Sequence, residues 1–176
     1  MKKIIFLIFA GYGIWFAAVG GKRLDEDIVR DFYRQAADAL INNDSEAYCK
    51  LIDDDMHGNS KFWMPSRPTI PSAFQQFGKK EACDSLAVIQ QMKEQAQLLA
   101  GISLHINYEY TIESISISPD RKTATVELHD EFRIGTEREA MLIMRSRQTN
   151  QIRRNLGRAK IFHSNSITRV SEGKRR

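Results

Sequence analysis

Apolar residues recur along this chain first at steps of three and four and then at steps of two, which divides it into a helical front and a sheet-forming back. From Asp25 to Asn42, Ile28, Phe32, Ala36, Ala39 and Leu40 fall on one helical face, and Asp25, Glu26 and Asp27 suit the positive N-terminal end of that helix. The Asn42-Asn43-Asp44-Ser45 run breaks it. Ala47, Tyr48, Leu51 and Ile52 then predict a second, short helix carrying Cys49, paired with the first as a hairpin. Asp53 to Glu81 holds Pro65, Pro68 and Pro71 among Phe62, Trp63, Met64, Phe74 and Phe77, so it is expected to be irregular yet packed, as a lid or plug. Helical spacing returns over Cys83 to Ala100 in Leu86, Ile89, Met92, Ala96 and Leu99, and Gly101 stands where a helix stops.

Beyond Gly101 the period falls to two. Leu104, Ile106, Tyr108, Tyr110 and Ile112 alternate with polar residues, and after Glu113 the apolar parity moves to Ile115 and Ile117. A one-residue flip predicts a bulge that bends the strand. A turn at Ser118-Pro119-Asp120-Arg121 leads to a second strand whose apolar face is Ala124, Val126, Leu128, Phe132 and Ile134. Two more strands are expected at about Glu139 to Gln151 and Arg158 to Val170, giving an α+β fold with three N-terminal helices packed in a curved antiparallel sheet of about four strands.

Composition adds a compartment. Lys2 and Lys3, an apolar run from Ile4 to Val19 and the small residues at Ala18-Val19-Gly20 have the layout of an export signal over residues 1–21. Lys22 and Arg23 follow at once, where basic residues impede export, so cleavage and retention as an uncleaved inner-membrane anchor both stay open. The predicted address is periplasmic or secreted in the first case and anchored facing the periplasm in the second. Either disfavours ATP-dependent and cytosolic nicotinamide chemistry. Residues 22–176 are long enough for one domain with its own core. In an oxidising compartment the pair Cys49 and Cys83 reads as a disulfide closing a 34-residue loop. Neither cysteine has a second Cys or His beside it at ligand spacing, so no metal or other cofactor is predicted.

Charge is uneven. Lys22 to Phe132 holds 12 basic and 19 acidic residues, whereas Arg133 to Arg176 holds 12 and 3. In an exported domain the basic half suits an acidic protein, an envelope surface or simple solvation, and nucleic acid is not expected.

Three helices followed by a long, bent meander resemble the nuclear-transport-factor-2-like (cystatin-like) superfamily, a cone in which the sheet wraps the longest helix. Asp44 to Asp55 is similar to that group's second helix and its acidic exit, and Gly78-Lys79-Lys80-Glu81 to the turn into its third. The resemblance implies either a cone enzyme, such as ketosteroid isomerase or a polyketide cyclase, or a non-catalytic binding or assembly domain, with dimerisation through the sheet as a further option. Isomerase chemistry implies a Tyr in the first helix, a base Asp after the second and a protonated Asp on a later strand. Tyr33 lies about a turn early for the first, Ser60 stands near the second position, and Leu142 to Arg147 offers no acid for the third.

One residue breaks the strand pattern. Asp130 takes the apolar parity between Leu128 and Phe132, so its carboxyl is expected inside, with a raised pKa. Tyr108 and Tyr110 share the inward parity of the preceding strand, and His163 follows Ile161 on the last, so Tyr108, Tyr110, Asp130 and His163 are the candidate ligand-binding set, with Asp130 the one catalytic candidate. His129 adjoins Asp130 and must point the other way. The expectation is a non-enzymatic envelope domain that binds a protein partner or a small apolar ligand, as an assembly component or as an immunity or inhibitor protein. The alternative is a polyketide-cyclase- or isomerase-like enzyme using Asp130.

Overall fold

The structure, a computed structural model, describes residues 23–65, 73–137, 139–155 and 157–173. The predicted leader and the middle of the predicted lid lie outside them. Helix α1 (Glu26–Ile41) starts where the Asp25 side chain accepts a hydrogen bond from the Ile28 N–H at 2.9 Å, and α2 (Ser45–Lys50) is capped in the same way by Asp44. Strands β1 (Ile52–Trp63) and β2 (Ala73–Gly78) pair antiparallel. Helix α3 (Lys79–Ala100) follows, its N-terminus closed by the Glu81 carboxylate on the Gly78 N–H and its end by Gly101 at φ 64°. The remaining strands are β3 (His105–Ile117), β4 (Thr123–Gly135), β5 (Ala140–Asn155) and β6 (Arg158–Glu172).

The α+β class and the three helices stand, but four expectations need correction. The sheet has six strands in the order β2-β1-β6-β5-β4-β3, not about four, and it is mixed, because β1 runs parallel to β6. The segment read as an irregular lid is largely the β1–β2 hairpin. Ile52 begins β1 instead of ending α2. The third helix lies between strands, so only two helices are N-terminal. Strand β1 escaped the period-two signal because its inward positions include Gly58 and Ser60 in place of large apolar groups. The bulge falls where the parity flips, with Glu113 the extra residue between Ile112↔Leu128 and Ser114↔Glu127.

Helix α1, not the longer α3, supplies the main core. Its Val29, Phe32 and Tyr33 pack with Leu24 against Val126, Leu128 and Ile152 of the sheet. A second, smaller cluster of Leu104, Phe132 and Ile134 lies further along β4 with Ile89 and Ala96 of α3 packed on it. Only Leu86 of α3 is fully buried, while Val88, Met92, Leu98 and Leu99 are exposed. The Cys49–Cys83 bond, with Cα atoms 5.4 Å apart, ties α3 to α2.

At the start of β1, Asp53 is buried and takes two hydrogen bonds from Arg153 of β5, which also reaches Asp55. Those bonds hold the Asp53 carboxyl below its ordinary range. Arg153→Ala is therefore expected to cost about 2 kcal/mol at pH 7 in urea denaturation, at the low end for a charged pair because the guanidinium keeps contact with water. A carboxylate with a depressed folded pKa stabilises above its unfolded pKa and ceases to do so as pH falls through the folded value. The gap between wild type and variant should thus close toward pH 3, and a gap that persists there would show that lost packing, not the ion pair, is responsible.

Candidate functional site

The side of the sheet covered by α1 is not uniformly apolar. Between the two apolar clusters lies a polar layer that follows the strand register. One row reads Tyr110↔Asp130↔Ser146↔Thr168, and the next reads Leu128↔Gln148↔Ser166↔Ser60. Burial here is nearly complete: Ser60, Asp130, Ser146, Asn150, Ser164 and Thr168 are all buried. Such a layer is stable only where its groups bond one another. Ser146 and Thr168 hydroxyls lie 3.0 Å apart, and Ser166 donates to Ser60 at 2.7 Å. The Gln148 amide donates to Asp130 Oδ1 at 2.9 Å, and the Asn150 amide donates to Gln148 Oε1 and to the Tyr33 hydroxyl, each at 3.1 Å.

Asp130 is the centre of this network. Burial pushes its carboxyl up from 3.8 to about 6, and hydrogen bonds from Gln148 and Ser146 pull it only part of the way back. Desolvation raises the Tyr33, Tyr48 and Tyr108 phenols, and the charge of Asp130 adds to each. The rings form a chain, with Tyr33–Tyr110 centroids 5.9 Å apart, Tyr110–Tyr108 6.0 Å and Tyr108–Phe132 6.3 Å.

The sequence candidates separate accordingly. Tyr108, Tyr110 and Asp130 come together on the helix-covered side. His163 does not join them, and its assignment to the same pocket is corrected: Phe162 is an extra residue in β6, between Gln151↔His163 and Ile152↔Ile161. This bulge leaves Ile161 facing the core and turns His163 to the opposite face, where its ring packs 4.6 Å from that of His57. Tyr33, which counting residues placed too early, does reach the network through its hydroxyl. Ser146, Gln148, Asn150 and Thr168 were missed, because polar residues fill both faces of these strands; the structure puts them on the same face as Met144 and Val170. Tyr48 was missed as well, since a Tyr on a short helix reads as ordinary packing.

On the outer face lies an open groove of about 490 Å³ passing Trp63, Arg145, Arg147, Ile167 and Arg169, which Tyr110, Asp130 and Ser146 also border. Most of its charge is already matched. Glu131 bonds both Arg133 and Arg145, Glu113 meets Arg147 at 3.5 Å and His129 at 2.8 Å, and Arg169 lies 5.4 Å over the Trp63 ring. Among the described residues no three His, Cys, Asp or Glu side chains cluster as metal ligands, and no helix is long and apolar enough to cross a membrane.

This architecture recurs in solved structures. A conserved protein from Planctomyces limnophilus superposes with a TM-score of 0.59 at 18% identity over 82% of this chain and 95% of that one. A nuclear-transport-factor-2-like protein from Cytophaga hutchinsonii aligns with a TM-score of 0.50 at 17% identity over 82% and 98%. The fold is nuclear-transport-factor-2-like. A candidate scytalone dehydratase from Novosphingobium aromaticivorans shares it, with a TM-score of 0.58 at 14% identity over 86% and 89%. No protein-family model matches the sequence, and no curated protein matches it. Such identities establish the nuclear-transport-factor-2-like architecture, which hosts enzymes and proteins of unassigned function alike, and leave the chemistry to the residues.

Proposed function

We propose that this is an exported, non-enzymatic domain of the cell envelope that holds a small ligand in its cone, against the polar layer around Asp130. The observation that supports it is the state of that acid: a carboxyl buried between two apolar clusters, held by an amide and a hydroxyl, with no Lys or Arg among the described residues paired to it. A purely structural acid at such depth is normally paired with a basic group. The leader-like residues 1–21 and the Cys49–Cys83 bond support the envelope location. The polar floor argues for a polar ligand in place of the apolar one expected from sequence, and the outer groove leaves room for a second copy or an acidic protein.

A second reading, acid–base catalysis of the cyclase or isomerase kind, is favoured by the same carboxyl lying near 6, where it can both accept and return a proton. Non-denaturing mass spectrometry of wild type and Asp130→Asn, each recovered from the envelope of the host, tests both. The wild type should carry a small-molecule adduct that the variant lacks, and incubation of the released molecule with fresh protein should return it unchanged. Conversion of that molecule would establish the enzyme. A bare wild type bound stoichiometrically to another protein would overturn the small-ligand reading.

A further inference from the structure

The two edges of the sheet differ. Strand β2 is six residues long, whereas β3 runs for thirteen, and among the described residues no backbone hydrogen bond from another element reaches its free side. A long free edge is normally blunted by Pro, by Lys or by a covering element, because its unpaired N–H and C=O groups invite another strand. His105 to Ile117 contains no Pro, Lys or Arg, and its bulge comes only at Glu113, which leaves His105 to Ile112 regular. Beside this stretch is an open cleft of about 850 Å³, bounded by Tyr110, Thr111 and Ile112 and by the flank of α1 that carries Asp27 and Asp31. Thr111 has the parity opposite to Tyr110 and Ile112, so the cleft follows the edge of the strand and not one of its faces.

Charge along the cleft selects what could fill it. Glu109 stands directly across from Glu131, a like-charged pair that needs a cation. Glu131 has Arg133 and Arg145, but Glu109 has only the Asn107 amide at 3.3 Å and no cation among the described residues. On α1, Asp31 is bonded by Arg34 and Gln35 and Glu26 meets Arg30 at 3.5 Å, which leaves Asp27 without a cation too. We infer that β3 is a docking edge for an extended segment of a partner protein, which joins the sheet as a further strand beside His105 to Ile112. Its outward positions carry Lys or Arg against Glu109, and its inward positions carry apolar side chains beside Tyr110 and Ile112. Main-chain hydrogen bonds supply the affinity and the alternating side chains the specificity. A second copy of this chain fits poorly, because neither free edge offers a cation: β2 reads Ala73-Phe74-Gln75-Gln76-Phe77-Gly78, and β3 against β3 would bring glutamates together. The assignment does not depend on the ligand proposed for the cone.

The test is amide hydrogen exchange of the full-length protein with a blocked peptide of sequence KVTVKVT, its counterpart EVTVEVT, and two forms of the first that are N-methylated at alternate residues. The lysine peptide should slow exchange between His105 and Ile112, leave β2 unchanged, and bind about tenfold more tightly than the glutamate peptide. Glu109→Lys, an exposed change, should reverse that preference. Only every second N–H of a strand faces its neighbour, so one N-methylated form should lose binding and the other keep it. Binding of both N-methylated forms, equal binding of the two charge types, or no slowing at millimolar peptide would each overturn the assignment. Slow exchange in β3 without peptide that deepens with protein concentration would give the edge to a second copy and overturn it as well.

Discussion

Asp130→Asn should make the protein more stable, by up to about 3 kcal/mol at pH 8 and by almost nothing at pH 4. The sign follows from the direction of the carboxyl's displacement. Its folded pKa of about 6 lies above the 3.8 of the free side chain, so between these values the folded state holds more of the proton than the unfolded state does. Stability therefore falls as pH rises through that window, and above about 6 the full cost of a buried, cation-free carboxylate is present. A displacement from 3.8 to about 6 corresponds to roughly 3 kcal/mol. The amide keeps the shape of the acid, and its oxygen can still accept from Gln148, so little packing is lost. In a domain of this length the gain appears as a melting temperature roughly 6–12 °C higher at pH 8. Thermal and urea denaturation at pH 4, 6 and 8 measure it. A loss of stability equal at all three would mean that the carboxylate is a structural anchor, and the proposal that it waits for a ligand would fail with it. A destabilising acid retained at a ligand site, as proposed, is the expected trade of stability for function.

That acid was legible in the sequence because its neighbours are so apolar. Leu128 and Phe132 fix the parity of β4, and a carboxyl between them can only face inward. The same logic did not reach β5 and β6. There the inward positions Ser146, Gln148 and Asn150, and Ser164, Ser166 and Thr168, are themselves polar, so no alternation marks which face is which. The polar layer thus hides itself, since the residues that make it polar are the ones that erase the strand signal. The misplacement of His163 has a related cause. Parity counted from Ile161 is valid only to the bulge at Phe162, and a bulge without a run of apolar residues beyond it leaves no trace in the pattern. At Glu113 the trace exists, because Ile115 and Ile117 continue the apolar face, and that bulge was readable. Helices α1 and α3 were readable from their period, yet only tertiary packing decides that α1, not the longer α3, fills the core.

The weak packing of α3 sets the remaining expectation. Reducing Cys49–Cys83, or replacing both cysteines by serine, should lower stability by roughly 3–4 kcal/mol, the entropy of opening a 34-residue loop in the unfolded chain. The corresponding fall in melting temperature is roughly 6–16 °C. The loss should also be uneven. Helix α1 and the sheet share a core of Val29, Phe32, Val126, Leu128 and Ile152 that the bond does not touch. Helix α3 buries Leu86 fully, exposes Val88, Met92, Leu98 and Leu99, and is fixed near its N-terminus by Cys83. Amides of α3 should therefore exchange hydrogen faster on reduction by a larger factor than those of β4 and β5. Because Tyr48 directly precedes Cys49, α2 should loosen with it, and the ring signal of Tyr48 should shift when that of Tyr33 does not. If exchange rises uniformly across α3 and the sheet, the bond acts only on the unfolded chain. If neither stability nor exchange changes, α3 is held by contacts other than the disulfide, and the bond has no part in shaping the cone.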